Sequence, residues 1–239
     1  MEFGLCLERE FNAHPFISLS DAVYNVIFKF AACQHSDSET RLNISAIAKE
    51  MNISRTPVFA AVQRLEADGI VCFVDKKFFI SPFNEDEGAK IHVLRAKLEA
   101  DAIRKTALYA DAGDIKRILF LNQKLRAAYL AGCTESILAR ETEFHSSIVR
   151  LCRNPYLISA YEQLLPQISR CQKATLIPIE NTERINQQHD LITRALRFRN
   201  PEVCAAAVLE HLSSAPAISG QLKKLCTKPE PSKLKENYQ

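Results

Sequence analysis

The sequence predicts a mainly α chain of two domains: three helices with a small β-hairpin, then an all-α antiparallel bundle of about six helices. Three observations carry that expectation. Apolar residues recur at helical spacing along most of the chain. The strand signal is confined to residues 70–80, where short apolar runs flank a charged turn. With 239 residues, 47% of them hydrophobic, the chain can bury two cores of ordinary domain size.

Residues 1–18 mix polar and aromatic side chains without a sustained period and are expected as an N-terminal arm, with regular structure beginning at Leu19. From Ser20, read as an N-cap, the positions Val23, Val26, Ile27, Phe30 and Ala31 mark the first helix. Gln34 to Thr40 is polar and reads as a loop. Asn43 or Ser45 then caps a short helix through Ile47, Ala48 and Met51, which Asn52 ends. The next helix opens after Ser54, tolerates Pro57 in its first turn, and runs through Val58, Ala61, Val62 and Leu65 to Gly69. Two short strands, Ile70 to Val74 and Phe78 to Ile80, surround Asp75-Lys76-Lys77. Helix, helix, helix, hairpin is the order of a winged helix-turn-helix, assigned here to residues 19–83.

After Ser81-Pro82-Phe83-Asn84 the pattern changes. Ile91, Leu94, Leu98, Ala102 and Ala107 begin a long helix, and no further strand signal appears. Helices are expected over 114–131, 134–152, 155–174, 180–198 and 201–225, so the all-helical domain is set at 84–226. Residues 227–239, with Lys228, Pro229, Glu230, Pro231 and Lys233, read as a flexible, solvated tail.

Composition excludes other classes. A net charge of +3, 25% charged residues and only 6 Gly speak against a disordered or fibrous chain. The 8 Cys are scattered without a C-x-x-C pair, and no secretory apolar region follows Met1. No apolar run approaches the ~20 residues of a membrane span. These features read as a cytoplasmic protein with reduced thiols and no membrane partner. Residues 1–83 hold eight Lys and Arg against ten Asp and Glu, so any nucleic-acid contact must be local rather than a general basic footprint.

The run Ile47-Ala48-Lys49-Glu50-Met51-Asn52-Ile53-Ser54-Arg55-Thr56-Pro57-Val58, continued by Gln63-Arg64-Leu65-Glu66-Ala67-Asp68-Gly69-Ile70-Val71, resembles the signature of the GntR family of winged-helix regulators. The resemblance implies double-stranded operator DNA as partner, bound by a homodimer on two half-sites. In that setting Arg55 can fork onto guanine O6 and N7, while Ser54 and Thr56 bond phosphate oxygens at the helix N-terminus. Arg64, Lys76 and Lys77 would add backbone contacts that position the protein without reading sequence. Two departures stand out: Phe59 occupies the place of the family's second Arg, and the wing turn lacks the usual Gly.

From Val93-Leu94-Arg95 and Leu98-Glu99 onward the chain resembles the FCD-type ligand domain of one branch of that family. The resemblance rests on Glu141-Thr142-Glu143-Phe144-His145, then Gln188-His189 and Glu210-His211. It implies a metal site of Glu141, His145, His189 and His211, with Glu141 where the family has Asp. Glu141 and His145, four apart, project from one helix face. His189 and His211 each neighbour core-type positions and should point inward. Three imidazoles and a carboxylate suit Zn, Ni, Mn or Fe better than Ca or Mg, and the set does not choose among the four. The resemblance also implies a small organic-acid effector, with Arg95 and then Arg170 as candidates for its carboxylate. Arg95 is equally placed to pair with Glu99, and Asn154 reads as the cap of the next helix.

The function expected is that of an effector-responsive transcription regulator, a repressor. Two other readings stay open: a metal-dependent enzyme using the His/Glu site, and a regulator whose winged helix has degenerated. The enzyme reading wants a general base beside the metal. Glu143, two residues from Glu141, falls on another helix face, so the chain is read as no enzyme.

Overall fold

Regular structure starts earlier than the sequence pattern suggests. The structure, a computed structural model, describes residues 2–32, 40–83, 85–174 and 182–213. Helix α1 (Phe3–Ala13) forms where an arm was expected. It buries Phe3, Leu7 and Glu10 on one face, and the polar third member hid the helical period. Glu10 is not idle there: its carboxylate accepts from Asn25 Nδ2 at 2.7 Å and Lys29 Nζ at 2.6 Å. Gly4 lets α1 lie close to the next layer, since a Cβ at that position would stand 2.8 Å from the Glu50 carbonyl oxygen.

Helix α2 (Leu19–Ala31) is capped by Ser18, whose hydroxyl accepts from Asp21 N, and not by Ser20. Strand β1 (Arg41–Leu42) is followed by α3 (Ile44–Glu50), capped by Asn43, and by α4 (Arg55–Ala67). Asn52, at φ 52°, and Gly69, at φ 71°, end these two helices in left-handed geometry. Strands β2 (Val71–Val74) and β3 (Lys77–Ile80) form the hairpin. The sheet order is β1-β3-β2, so the wing holds a third strand that two residues were too few to announce. Asp75 and Lys76 sit at φ 46° and 61°, as both central residues of a type I′ turn must. The wing therefore turns without Gly, with two L-residues held in a conformation that costs ~1–2 kcal/mol each.

The rest is helical: α5 (Glu85–Tyr109), α6 (Ala112–Ala131), α7 (Thr134–Arg150), α8 (Pro155–Ala174), α9 (Thr182–Phe198) and α10 (Pro201–Ser213). Asp111 and Asp114 make a reciprocal capping box for α6. Asn154 caps α8, accepting from Tyr156 N and Leu157 N. The helix ends expected beyond residue 213, and the tail over 227–239, lie outside the described residues.

Two compact units result. The first takes in, besides the winged helix, α1, the start of α5 through Ile91 and α8 from Ser159. Its core joins Phe3, Leu7, Val23, Ile27, Ile47, Val58, Val62, Leu65 and Ile70. Within it Gln167 Nε2 donates to the Asp68 carbonyl at 2.7 Å, and Arg170 donates to the Ser81 carbonyl. The second unit holds His92–Ile158 and the described residues after 176. Here α6 packs on α7 and α9, and α9 on α10, around Ile103, Ile118, Leu125, Phe144, Ile185, Ile192 and Leu196. None of the described helices is long and apolar enough to cross a membrane.

Candidate functional site

In the first unit, α4 follows α3 across a short turn and leaves one face open. Val58, Ala61, Val62 and Leu65 are buried, and Arg55, Thr56, Phe59 and Gln63 are exposed. Ser54 stands at the N-cap without a side-chain cap bond, its hydroxyl left for another acceptor or donor. Lys76 and Lys77 are exposed at the wing turn. Arg64 lies elsewhere on the helix: its Nη1 meets Asp21 Oδ1 at 2.6 Å and its guanidinium stacks 4.6 Å over Tyr24. The structure thus brings Ser54, Arg55 and Thr56 together and holds Arg64 against α2.

In the second unit a polar cluster is buried inside the bundle. Helix α7 carries Glu141 and His145 on one face, α9 carries His189 and α10 carries His211. Each of the four offers one ligand atom, and these atoms lie within 4.8 Å of one another. Glu141 Oε2 is 3.3 Å from His145 Nε2, and Glu141 Oε1 is 3.4 Å from His189 Nε2. The His145 and His211 rings stack at 5.1 Å, and His189 lies 4.3 Å from His211 between centroids.

Behind the cluster stands a second layer of charge. His145 Nδ1 meets Glu99 Oε2 at 2.7 Å, and Glu99 Oε1 accepts from Arg95 Nε at 2.6 Å, both partners on α5. That bond fixes the His145 proton on Nδ1 and presents Nε2 to the cluster. Tyr129 of α6 donates to Glu141 Oε1 at 2.8 Å. Burial alone would raise the Glu141 carboxyl, but the imidazoles of His189, His145 and His211 hold it well below the usual carboxylate range. Burial opposes the Glu99 charge as well, and Arg95 and His145 overcome it in the same direction. His145 would be depressed by burial, yet the charges of Glu99, which it bonds, and of nearby Glu141 raise it. His189 is pushed down to about 4, chiefly by burial, and His211 is lowered well below the usual imidazole value by burial beside two other imidazoles.

The donor set fits a divalent cation. His145 Nε2 and both His189 ring nitrogens are buried without a hydrogen-bond partner, a condition that costs roughly 1–3 kcal/mol per group. Buried imidazoles facing a carboxylate dispel that cost when their lone pairs meet a metal ion. Both amide atoms of Asn186, three residues before His189 on α9, are likewise buried and unpartnered. Of the two arginines expected at the effector, Arg95 stands beside the cluster, bound to Glu99. Arg170 belongs to the first unit, where it also lies 5.0 Å over the Phe83 ring, and the cluster does not include it.

Sequence reasoning missed Tyr129 and Asn186, and met Glu99 only as the neighbour of Arg95. A carboxylate on the stripe Ala96, Ala100, Ile103 was the readable sign that something charged faced it. Tyr129 and Asn186 gave no comparable sign.

A winged-helix head and an all-helical partner domain define a DNA-binding transcriptional regulator. Residues 39–71 match the winged helix-turn-helix DNA-binding model, and residues 90–214 match the model of the FCD domain. The chain belongs to the GntR family, in the branch that carries the FCD domain. It is 29% identical over 185 residues to the Nta operon transcriptional regulator of Aminobacter aminovorans, covering 76% of this chain and 85% of that one. It is 25% identical over 178 residues to the HTH-type regulator YdhC of Bacillus subtilis, covering 72% and 78%. The fold matches E. coli McbR/YncC at a TM-score of 0.71 and 21% identity, over 89% of this chain and all of that one. A GntR regulator from Rhodococcus sp. RHA1 matches at 0.68 and 14% identity over the same shares. These relatives are regulators, and so is this chain, which is not an enzyme.

Proposed function

We propose that the protein is a cytoplasmic, homodimeric repressor whose hold on operator DNA is set by a carboxylate-bearing metabolite bound at a divalent transition metal. The convergence of Glu141, His145, His189 and His211 from three helices on one buried point carries the reading. Three imidazole ligands and one carboxylate would hold Zn, Ni, Mn or Fe. Such an ion, when bound, supplies a positive centre for an organic acid. Ser54, Arg55 and Thr56 would read and grip the operator, with Lys76 and Lys77 along the neighbouring backbone.

The roles of the chain's own groups follow from their contacts. Glu99 fixes the ring of His145, Arg95 neutralises Glu99, and Tyr129 orients Glu141. Asn186 would offer the effector a neutral donor and acceptor. We place Arg64 and Arg170 in supporting contacts, because Asp21 with Tyr24 and Ser81 with Phe83 already engage them. An effector works only by binding one arrangement of the dimer better than the other.

The test compares full-length wild type with His189→Ala. Elemental analysis of purified protein should find about one metal ion per wild-type chain and much less in the variant. Thermal shifts with a panel of small mono-, di- and tricarboxylic acids should appear in the wild type, vanish with chelator, and be absent from the variant. Full metal content in His189→Ala would mean that the ion sits elsewhere.

A further inference from the structure

Among the exposed residues of α4, Phe59 is the one large apolar side chain. At ~100° per residue, Arg55, Phe59 and Gln63 fall within about 80° of arc, with Thr56 just beyond Gln63. Phe59 lies in the middle of that arc, a full turn after Arg55, and is 43% exposed. The buried residues Val58, Ala61, Val62 and Leu65 flank that arc on one side, Val62 nearest, so Phe59 sits at the border between core and solvent. Its ring and that of Phe78 of β3 pack in a T-shaped pair, centroids 6.1 Å apart at 73°. Phe78 in turn packs on Phe73 of β2 at 4.7 Å. The aromatic side chain is thereby steadied from the wing side while part of it stays open to solvent.

We propose that Phe59 reads the C5-methyl group of a thymine in the major groove, next to the base pair that Arg55 meets. The face of a winged-helix recognition helix centred on its first exposed turns is the face that enters the groove. Phe has no donor or acceptor with which to read a base edge, so the ring can discriminate in one way there. It buries the apolar group that A·T pairs alone present in that groove. Gln63, a turn further on, has the bidentate amide that suits adenine and sits on the same line. The three side chains give a graded reading along the helix: a guanine at Arg55, a thymine methyl at Phe59, an adenine edge at Gln63. The inference rests on the DNA-binding class of the chain and is independent of the metal and effector.

The experiment uses full-length protein and a randomised duplex pool. Sequences enriched by the wild type are aligned, and each thymine of the enriched half-site is replaced in turn by deoxyuridine, which removes the methyl group and nothing else. Fluorescence anisotropy then gives Kd for wild type and for Phe59→Ala. One thymine per half-site should show about a fourfold loss of wild-type affinity on conversion to deoxyuridine, the worth of one buried methyl-sized group. The same conversion should leave Phe59→Ala unchanged. Because the alteration is made in the DNA, the wild-type result stands even if the variant folds poorly. An enriched site with no methyl-sensitive thymine, or equal losses in both proteins, would overturn the assignment of Phe59 alone. A pool with no enrichment would overturn the placing of α4 in the groove along with it.

Discussion

Replacing Glu99 by Gln keeps the shape of the side chain and removes one charge from a line of three buried groups, Arg95, Glu99 and His145. Two quantities should change. Arg95, 3% exposed, loses its carboxylate partner, and breaking a buried pair from one side costs roughly 3–5 kcal/mol of stability. Gln offers one acceptor oxygen where Glu99 offered two, so Arg95 and His145 compete for it and His145 loses the charged partner that fixes its proton on Nδ1; loss of such an outer partner weakens metal binding about 10–100-fold. Urea unfolding reads the first quantity, and calorimetric titration of Zn²⁺ into chelator-stripped protein reads the second. The double variant Arg95→Met, Glu99→Met separates them, since swapping both charges for apolar groups is often neutral in stability. It should recover much of the folding loss while metal affinity stays low. A Zn²⁺ affinity in Glu99→Gln within twofold of wild type, with the fold intact, would refute the claim that Glu99 sets His145 for the cluster.

Two other measurements bear on the fold. Leu7 lies buried in α1, and Leu7→Ala should lower unfolding free energy by about 2–5 kcal/mol, whereas a loosely held arm would show no change. His92 donates through Nε2 to the Leu212 carbonyl at 2.9 Å, and burial pushes its pKa down to about 4. The unfolded chain therefore takes up a proton below pH ~6.5 that the folded chain refuses until about pH 4, so His92 erodes stability as pH falls through that window. The loss should reach about 2 kcal/mol at pH 5. His92→Gln should lose less than wild type between pH 7 and pH 5 in urea titrations; equal losses would exclude His92 as a source.

Much of this architecture was written in local pattern. Two helices and a hairpin between Asn43 and Ile80 follow from caps, Gly69 and apolar spacing, and the four groups of the cluster from helical facing and the resemblance of their segments. What stayed hidden depends on contacts distant in sequence. Helix α1 shows its period only when Glu10 is counted as buried, and that follows from Asn25 and Lys29. Strand β1 exists because β3 offers it a partner, not because two residues prefer extension. Tyr129 joins the cluster through tertiary approach of α6 to α7, and Arg64 faces α2 because Tyr24 and Asp21 draw it there.

The tight loop at Asp75-Lys76 leaves the hairpin no slack. Phe73 stands opposite Phe78 because the turn spends two residues, and side chains alternate across a sheet residue by residue. One inserted residue would swap the faces of everything downstream, turning Phe78 outward and bringing Phe79 in beneath α4. Drift in the length of this loop would therefore be felt at α4, while changes in the identity of its two residues alter how willingly the bend is made and, at Lys76, the charge that the turn displays.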